Sequence, residues 1–132
     1  MTKDYEELKR ITQETAAKLF GPPKKDATGA RQGAFALWKE FDPELAKHIS
    51  MFYTGRLYAR EVISQKQREL CAVAALTALD KPAELKAHCR AAMNVGATKD
   101  EVAEVIFQQC TYAGVPCMVE GLRSLKEVLE AE

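Results

Sequence analysis

The sequence predicts an all-α fold, a bundle of six or seven helices. Three observations point to it. Apolar residues recur at steps of three and four, alternating strand patterns are absent, and Pro, Gly and capping residues fall where helices would begin and end.

The elements follow in order. Leu8, Ile11, Thr15 and Leu19 mark one face of a helix over residues 2–19, which Gly21-Pro22-Pro23 stops. Lys24-Lys25-Asp26 reads as exposed linker, and a short second helix spans residues 30–41. Asp42-Pro43 opens a third helix, Asp as N-cap and Pro in the first turn, with Leu45, Ile49 and Phe52 on one side. Ser64-Gln65-Lys66-Gln67 fits a capping box and starts an Ala- and Leu-rich helix running to Leu79. That helix is apolar on nearly all sides, so it is expected to be buried or wedged between subunits. Asp80-Lys81-Pro82 turns the chain into a helix ending at Gly96, and Thr98-Lys99-Asp100-Glu101 caps another that reaches about Tyr112. Gly114-Val115-Pro116 breaks the chain before a last helix over residues 116–130.

The 132 residues suit one domain, with residues 1–40 as a less tightly patterned N-terminal arm and 41–132 as its core. Apolar residues make up 47% and charged residues 29%, which excludes a disordered chain. Lys plus Arg and Asp plus Glu are 19 each, so the basic excess of a phosphate-binding protein is missing and no nucleic-acid partner is expected. The longest apolar stretch, Leu70 to Leu79, is about half a membrane span, so no membrane partner is expected either. The acidic start, Asp4-Tyr5-Glu6-Glu7, does not read as a secretion signal. Four cysteines then read as reduced thiols of a cytoplasmic protein.

Most polar residues fit solvated helix faces, and two do not. Glu69 shares a face with Ala72, Val73 and Leu76 on the most apolar helix, where an unpaired carboxylate would lose its hydration. His88 lies on the stripe Leu85, Ala92, Val95 of the next helix. The tight turn between the two helices makes them antiparallel. Glu69 sits about ten residues before it and His88 about seven after, an axial offset of roughly 5 Å that long side chains can close. A carboxylate facing an imidazole in an apolar cleft is an acid/base constellation, and it is also a way to satisfy two core polar groups.

Other candidates stand beside the pair. His48 reads as surface or subunit contact. Cys71 and Cys89 read as small buried hydrophobes in Ala-rich helix. Cys110 and Cys117, seven apart, are about 10 Å apart on a continuous helix, beyond disulfide reach, but the break at Gly114 could bring them nearer and leaves a thiol role open. No Cys/His set has zinc-site spacing and no glycine pattern suits a phosphate loop, so no metal is expected. Tyr53, Tyr58 and Tyr112 suit either a pocket lining or an interface.

Three segments in sequence carry a family resemblance: Arg68 to Leu79, Ala83 to Ala92, and Gly96 to Val105, followed by Tyr112-Ala113-Gly114-Val115-Pro116. Together, over about residues 50–130, they resemble the carboxymuconolactone decarboxylase family of the alkylhydroperoxidase D-like superfamily. The thiol branch of that superfamily carries Glu-x11-Cys-x2-Cys-x3-His. Laid on this chain from Glu69, the pattern meets Lys81, Glu84 and His88, so Glu and His are kept and both cysteines are missing. The resemblance therefore favours the decarboxylase branch, since peroxidase chemistry of the other kind needs a thiolate and a resolving partner. At Met93-Asn94-Val95-Gly96 the chain departs from a pair of Asn common before that Gly in decarboxylases.

The resemblance implies an oligomeric alkylhydroperoxidase D-like bundle, a trimer or hexamer with the site near subunit contacts. It implies a cofactor-independent decarboxylase acting on a small anionic lactone or related acid, because the conjugated carbonyl itself receives the electrons. His88 would deliver the proton and Glu69 would orient it, with the reverse assignment open if Glu69 is protonated at neutral pH. Arg90, Lys81, Arg56, Arg60 and Tyr112 are the candidate substrate contacts. The alternatives are a thiol-dependent hydroperoxide reductase using Cys110 and Cys117, and a non-catalytic oligomeric family member.

Overall fold

The computed structural model describes residues 3–21 and 33–131. Among them every regular element is helical and none is a strand. The chain divides into two compact units, Met1–Arg60 and Glu61–Glu132. The linker expected at Lys24-Lys25-Asp26 and the expected start of the second helix at residue 30 lie outside the described residues.

The first unit contains α1 (Lys3–Phe20), α2 (Ala34–Phe41), α3 (Pro43–Ser50) and a π-helical segment (Met51–Tyr58). Thr12, Thr15 and Leu19 line the buried side of α1, with Leu8 and Ile11 half-buried beside them. The backbone N–H of Gly21, at φ +72°, closes α1 on Ala17 O at 3.0 Å. Asp42 caps α3 by accepting the Leu45 N–H at 2.9 Å, with Pro43 in the first turn.

The widened turn that continues α3 has no counterpart in the sequence reading. Its i→i+5 repeat brings Tyr53 and Tyr58 over one another, ring centroids 4.7 Å apart. Gly55 is buried within it, and a Cβ there would collide with the Thr12 hydroxyl and stand 3.0 Å from Leu8 Cδ1. Glycine thus lets α1 and this segment touch. Ala46 is the buried residue of α3, while Leu45 and Phe52 are 53% and 62% exposed. The opened turn changes the angular step, so a face drawn at 3.6 residues per turn does not carry through to Phe52.

The second unit holds α4 (Gln65–Ala78), α5 (Pro82–Asn94), α6 (Lys99–Gln108), the single turn α7 (Cys110–Ala113) and α8 (Val115–Glu130). Both capping boxes form: the Ser64 and Thr98 hydroxyls accept from Gln67 N and Glu101 N, and those side chains return to the cap N–H groups. Two helices end in paired backbone bonds around a left-handed residue. At α4 the residue is Asp80, φ +54°, with Asp80 N–H on Thr77 O and Lys81 N–H on Leu76 O at 3.0 Å. At α5 it is Gly96, φ +105°, with Ala97 N–H on Ala92 O at 2.9 Å. The helix expected to reach Tyr112 instead ends at Gln108 and resumes as α7. Taking α3 with its π continuation and α6 with α7, the described residues make seven helices.

Val73, Leu85, Cys89, Ala92, Val102, Ile106, Leu125 and Val128 form the core of this unit. Gly121 of α8 sits so close to Ile106 and Thr77 that a Cβ would come within 2.7 Å of Ile106 Cγ2. Ion pairs Lys66–Glu101, at 2.6 Å, and Lys86–Glu127 tie α4 to α6 and α5 to α8.

Candidate active site

The site grows from the α4–α5 pair. The cap at Ser64 fixes where α4 begins, and the Asp80 turn fixes how α5 returns beside it. Glu69 is thereby carried into the interface with its side chain 0% exposed, and His88 faces it with its side chain 14% exposed. Glu69 Oε2 and His88 Nδ1 are 2.7 Å apart. The expected axial offset is thus closed directly, with a short, charge-assisted geometry.

The chemistry of the contact ties the tautomer to the charge of Glu69. An ionised carboxylate is acceptor-only, so with Glu69 ionised Nδ1–H donates to Oε2. The second oxygen of Glu69, Oε1, is also buried and accepts no hydrogen bond. Val73, next on the same face of α4, and Leu85 and Ala92, which flank His88 on α5, are buried and apolar.

The other candidates are exposed side chains. Arg90 is exposed on α5, two residues after His88, a step that turns a side chain roughly 200° around a helix. Lys81 is exposed at the N-cap of α5, where it rims a shallow hollow with Thr77, Cys117 and Glu120 that includes neither Glu69 nor His88. Tyr112 is 73% exposed on α7. Arg56 and Arg60 are exposed in the first unit.

The thiols differ from one another. Cys110 and Cys117 are half-buried free thiols, and Cys117 Sγ lies 3.9 Å from the Ala78 carbonyl oxygen. Cys89 is buried as expected, and loss of hydration pushes its thiol up to about 12, only partly opposed by the Arg90 charge. Cys71 is exposed, contrary to its reading as a core residue. It lies two positions from both Glu69 and Val73, so the helix turns it away from their buried stripe. Among the described residues no group of His, Cys, Asp and Glu is arranged to hold a metal ion, and no helix is long and apolar enough to cross a membrane.

The sequence reading passed over Gln65 and Arg68. Both are half-buried on α4, with Gln65 Oε1 and Arg68 Nε shut off from solvent. Gln65 was read only as part of a capping box.

The second unit is thus a helical bundle with a buried carboxylate facing an imidazole across its first two helices. The sequence profile of the carboxymuconolactone decarboxylase family matches residues 43–127, and the chain belongs to that family. It is 34% identical to 4-carboxymuconolactone decarboxylase of Acinetobacter baylyi over 91 residues, covering 69% of this chain and 68% of that protein. It is 33% identical over 93 residues to an uncharacterized 15.0 kDa protein of Paracoccus denitrificans, covering 68% and 69%. A shorter likeness, 29% over 74 residues, covers 56% of this chain and 52% of nitrosuccinic acid decarboxylase of Metarhizium robertsii. Two of these three relatives carry decarboxylase names, which supports a decarboxylase-type activity.

Proposed function

We propose that this protein is a carbon–carbon lyase that decarboxylates a small anionic acid without a cofactor, using His88 as the proton donor and Glu69 to orient it. The observation carrying this reading is the 2.7 Å contact between a fully buried carboxylate and an imidazole that keeps some exposure. The names of two relatives support a substrate of this kind, an acid bearing an electron-withdrawing group, a lactone in one name and a nitro group in the other.

The step is balanced as follows. The bond between the carboxylate and its neighbouring carbon breaks, CO2 leaves, and the electron pair passes into the conjugated acceptor. The carbanion so formed takes the proton from Nε2 of the His88 imidazolium. Glu69 stabilises that imidazolium through Nδ1, and solvent returns the proton to the ring. An apolar surround favours conversion of a charged carboxylate into neutral CO2, and the substrate supplies its own electron sink. Anchoring of the anion falls to Arg90, Lys81, Arg56, Arg60 or Tyr112, in an assembly of trimeric or hexameric form.

CO2 release from 4-carboxymuconolactone and from nitrosuccinic acid, followed by 13C NMR, tests the reading. His88→Ala and Glu69→Gln are expected to lower turnover roughly 100-fold with the fold intact. Unchanged rates in both variants would overturn the assignment. Thiol alkylation should leave turnover intact; its loss would favour the hydroperoxide-reductase alternative through Cys110 and Cys117.

A further inference from the structure

Among the described residues Glu69 is the one acidic or basic side chain that is fully buried. Its Oε2 lies 2.7 Å from His88 Nδ1, while Oε1 is enclosed and accepts no hydrogen bond. The helices packed against α4 supply apolar residues to the core: Leu85 and Ala92 from α5, Val102 and Ile106 from α6, Leu125 and Val128 from α8. Besides His88, the titratable group in that core is the Cys89 thiol, which loss of hydration keeps protonated. On α4 itself Gln65 and Arg68 have interactions of their own, and neither donates to Oε1.

A carboxylate spreads its charge over both oxygens. Were Glu69 ionised, about half of that charge would sit on Oε1, out of water and with no donor, the costliest condition for a buried polar atom. A protonated carboxyl meets the same surroundings at far lower cost. Its O–H lies on Oε2 and donates to Nδ1, and Oε1 is then an uncharged carbonyl oxygen. The 2.7 Å separation admits a bond donated from either side. The imidazole then keeps its own proton on Nε2. An apolar site that holds a carboxylic acid neutral so that it can donate a hydrogen bond is a known device of acid/base chemistry.

We propose that the site rests as a neutral pair, with the shared proton on Glu69 Oε2 and a second proton on His88 Nε2, and that an anionic substrate draws the shared proton across to Nδ1. The second half rests on the decarboxylase reading and deepens it: Glu69 is the proton reservoir of the site as well as the group that orients the ring. The transfer balances. The Oε2–H bond breaks and the Nδ1–H bond forms, which gives a carboxylate and an imidazolium beside the bound anion. Nε2 then passes its proton to the carbanion left by CO2, and the ring is neutral with its proton on Nδ1. One proton from solvent to Nε2, and return of the shared proton to Oε2, restore the resting pair. No charge waits in the apolar interior between turnovers.

The test reads the full-length protein at neutral pH and its first part needs no turnover. The chain has only two histidines, so the 15N ring pattern of His88 is assigned by comparison with His48→Gln. Infrared difference spectra against Glu69→Gln isolate the Glu69 carboxyl. The expected result is a His88 ring protonated at Nε2 and bare at Nδ1, together with a carboxylic-acid C=O band that is lost in Glu69→Gln. A proton on His88 Nδ1, in a neutral ring or an imidazolium, would overturn the proposal, as would a Glu69 signal found only in the carboxylate region. Should Glu69→Gln not fold, the ring pattern of the wild-type protein decides by itself. Saturation with 4-carboxymuconolactone or nitrosuccinic acid, whichever the protein turns over, should weaken the acid band and bring in imidazolium signals; an unchanged acid band would overturn the transfer. Absence of CO2 release from both would instead defeat the functional reading, with the resting spectra still deciding where the shared proton lies.

Discussion

The two units handle apolar side chains differently. In the second, Val73, Leu85, Ile106 and Val128 are enclosed by four long helices, and a carboxylate is enclosed with them. In the first, Leu19, Ala46 and Met51 are the buried apolar residues among those described, while Phe41, Leu45 and Phe52 are exposed. Both contain locally capped helices, at Asp42 in the first and at Ser64 and Thr98 in the second. The lesson is that capping decides where a helix begins, while burial depends on having neighbours on every side.

The largest effect expected from breaking this contrast is in the second unit. Ile106→Ala removes a wholly buried side chain against Gly121 and should cost about 2–5 kcal/mol, read from urea unfolding. Phe52→Ala in the first unit should change stability by no more than about 0.5 kcal/mol when the chain is monomeric. A cost of about 2 kcal/mol that grows with protein concentration would mean that a second copy covers this face, as the expected oligomer requires.

The thiols sharpen the same contrast on a finer scale. Iodoacetamide followed by mass spectrometry should modify Cys71 at least about tenfold faster than Cys89, since one is exposed and the other is a buried thiol pushed up to about 12. Equal rates would show that α4 and α5 open together.

The smallest effect concerns Glu101. The Lys66 ammonium beside it, and then the Thr98 N–H, hold its carboxyl below the usual carboxylate range. A depressed folded-state value means that its contribution to stability is complete above the ordinary carboxylate range and is lost as pH falls through the depressed one. Glu101→Gln should therefore lower the melting temperature by no more than about two degrees at neutral pH, and the difference from wild type should close in acid. A difference that persists at low pH would show that packing rather than charge is at work there.

Much of the fold was legible because its signals are local. Asp42-Pro43, the boxes at Ser64 and Thr98, and Gly96 each mark a boundary through bonds to residues within a few positions. The Glu69–His88 contact was legible for a related reason, since a tight turn leaves two helices one way to lie side by side. The π-helical turn at Met51–Tyr58 was not, because it depends on Gly55 admitting the side chains of α1 from across the unit.

Helix starts and stops, and the pairing of Glu69 with His88 across one turn, were thus determined by the sequence itself, because each rests on short-range hydrogen bonding and helical periodicity. Which faces are sealed was decided only by tertiary structure: Cys71 outward, Phe52 outward, and one Glu69 oxygen enclosed without a donor. Burial is set by what packs against a side chain from distant segments, and periodicity along one helix carries no information about that.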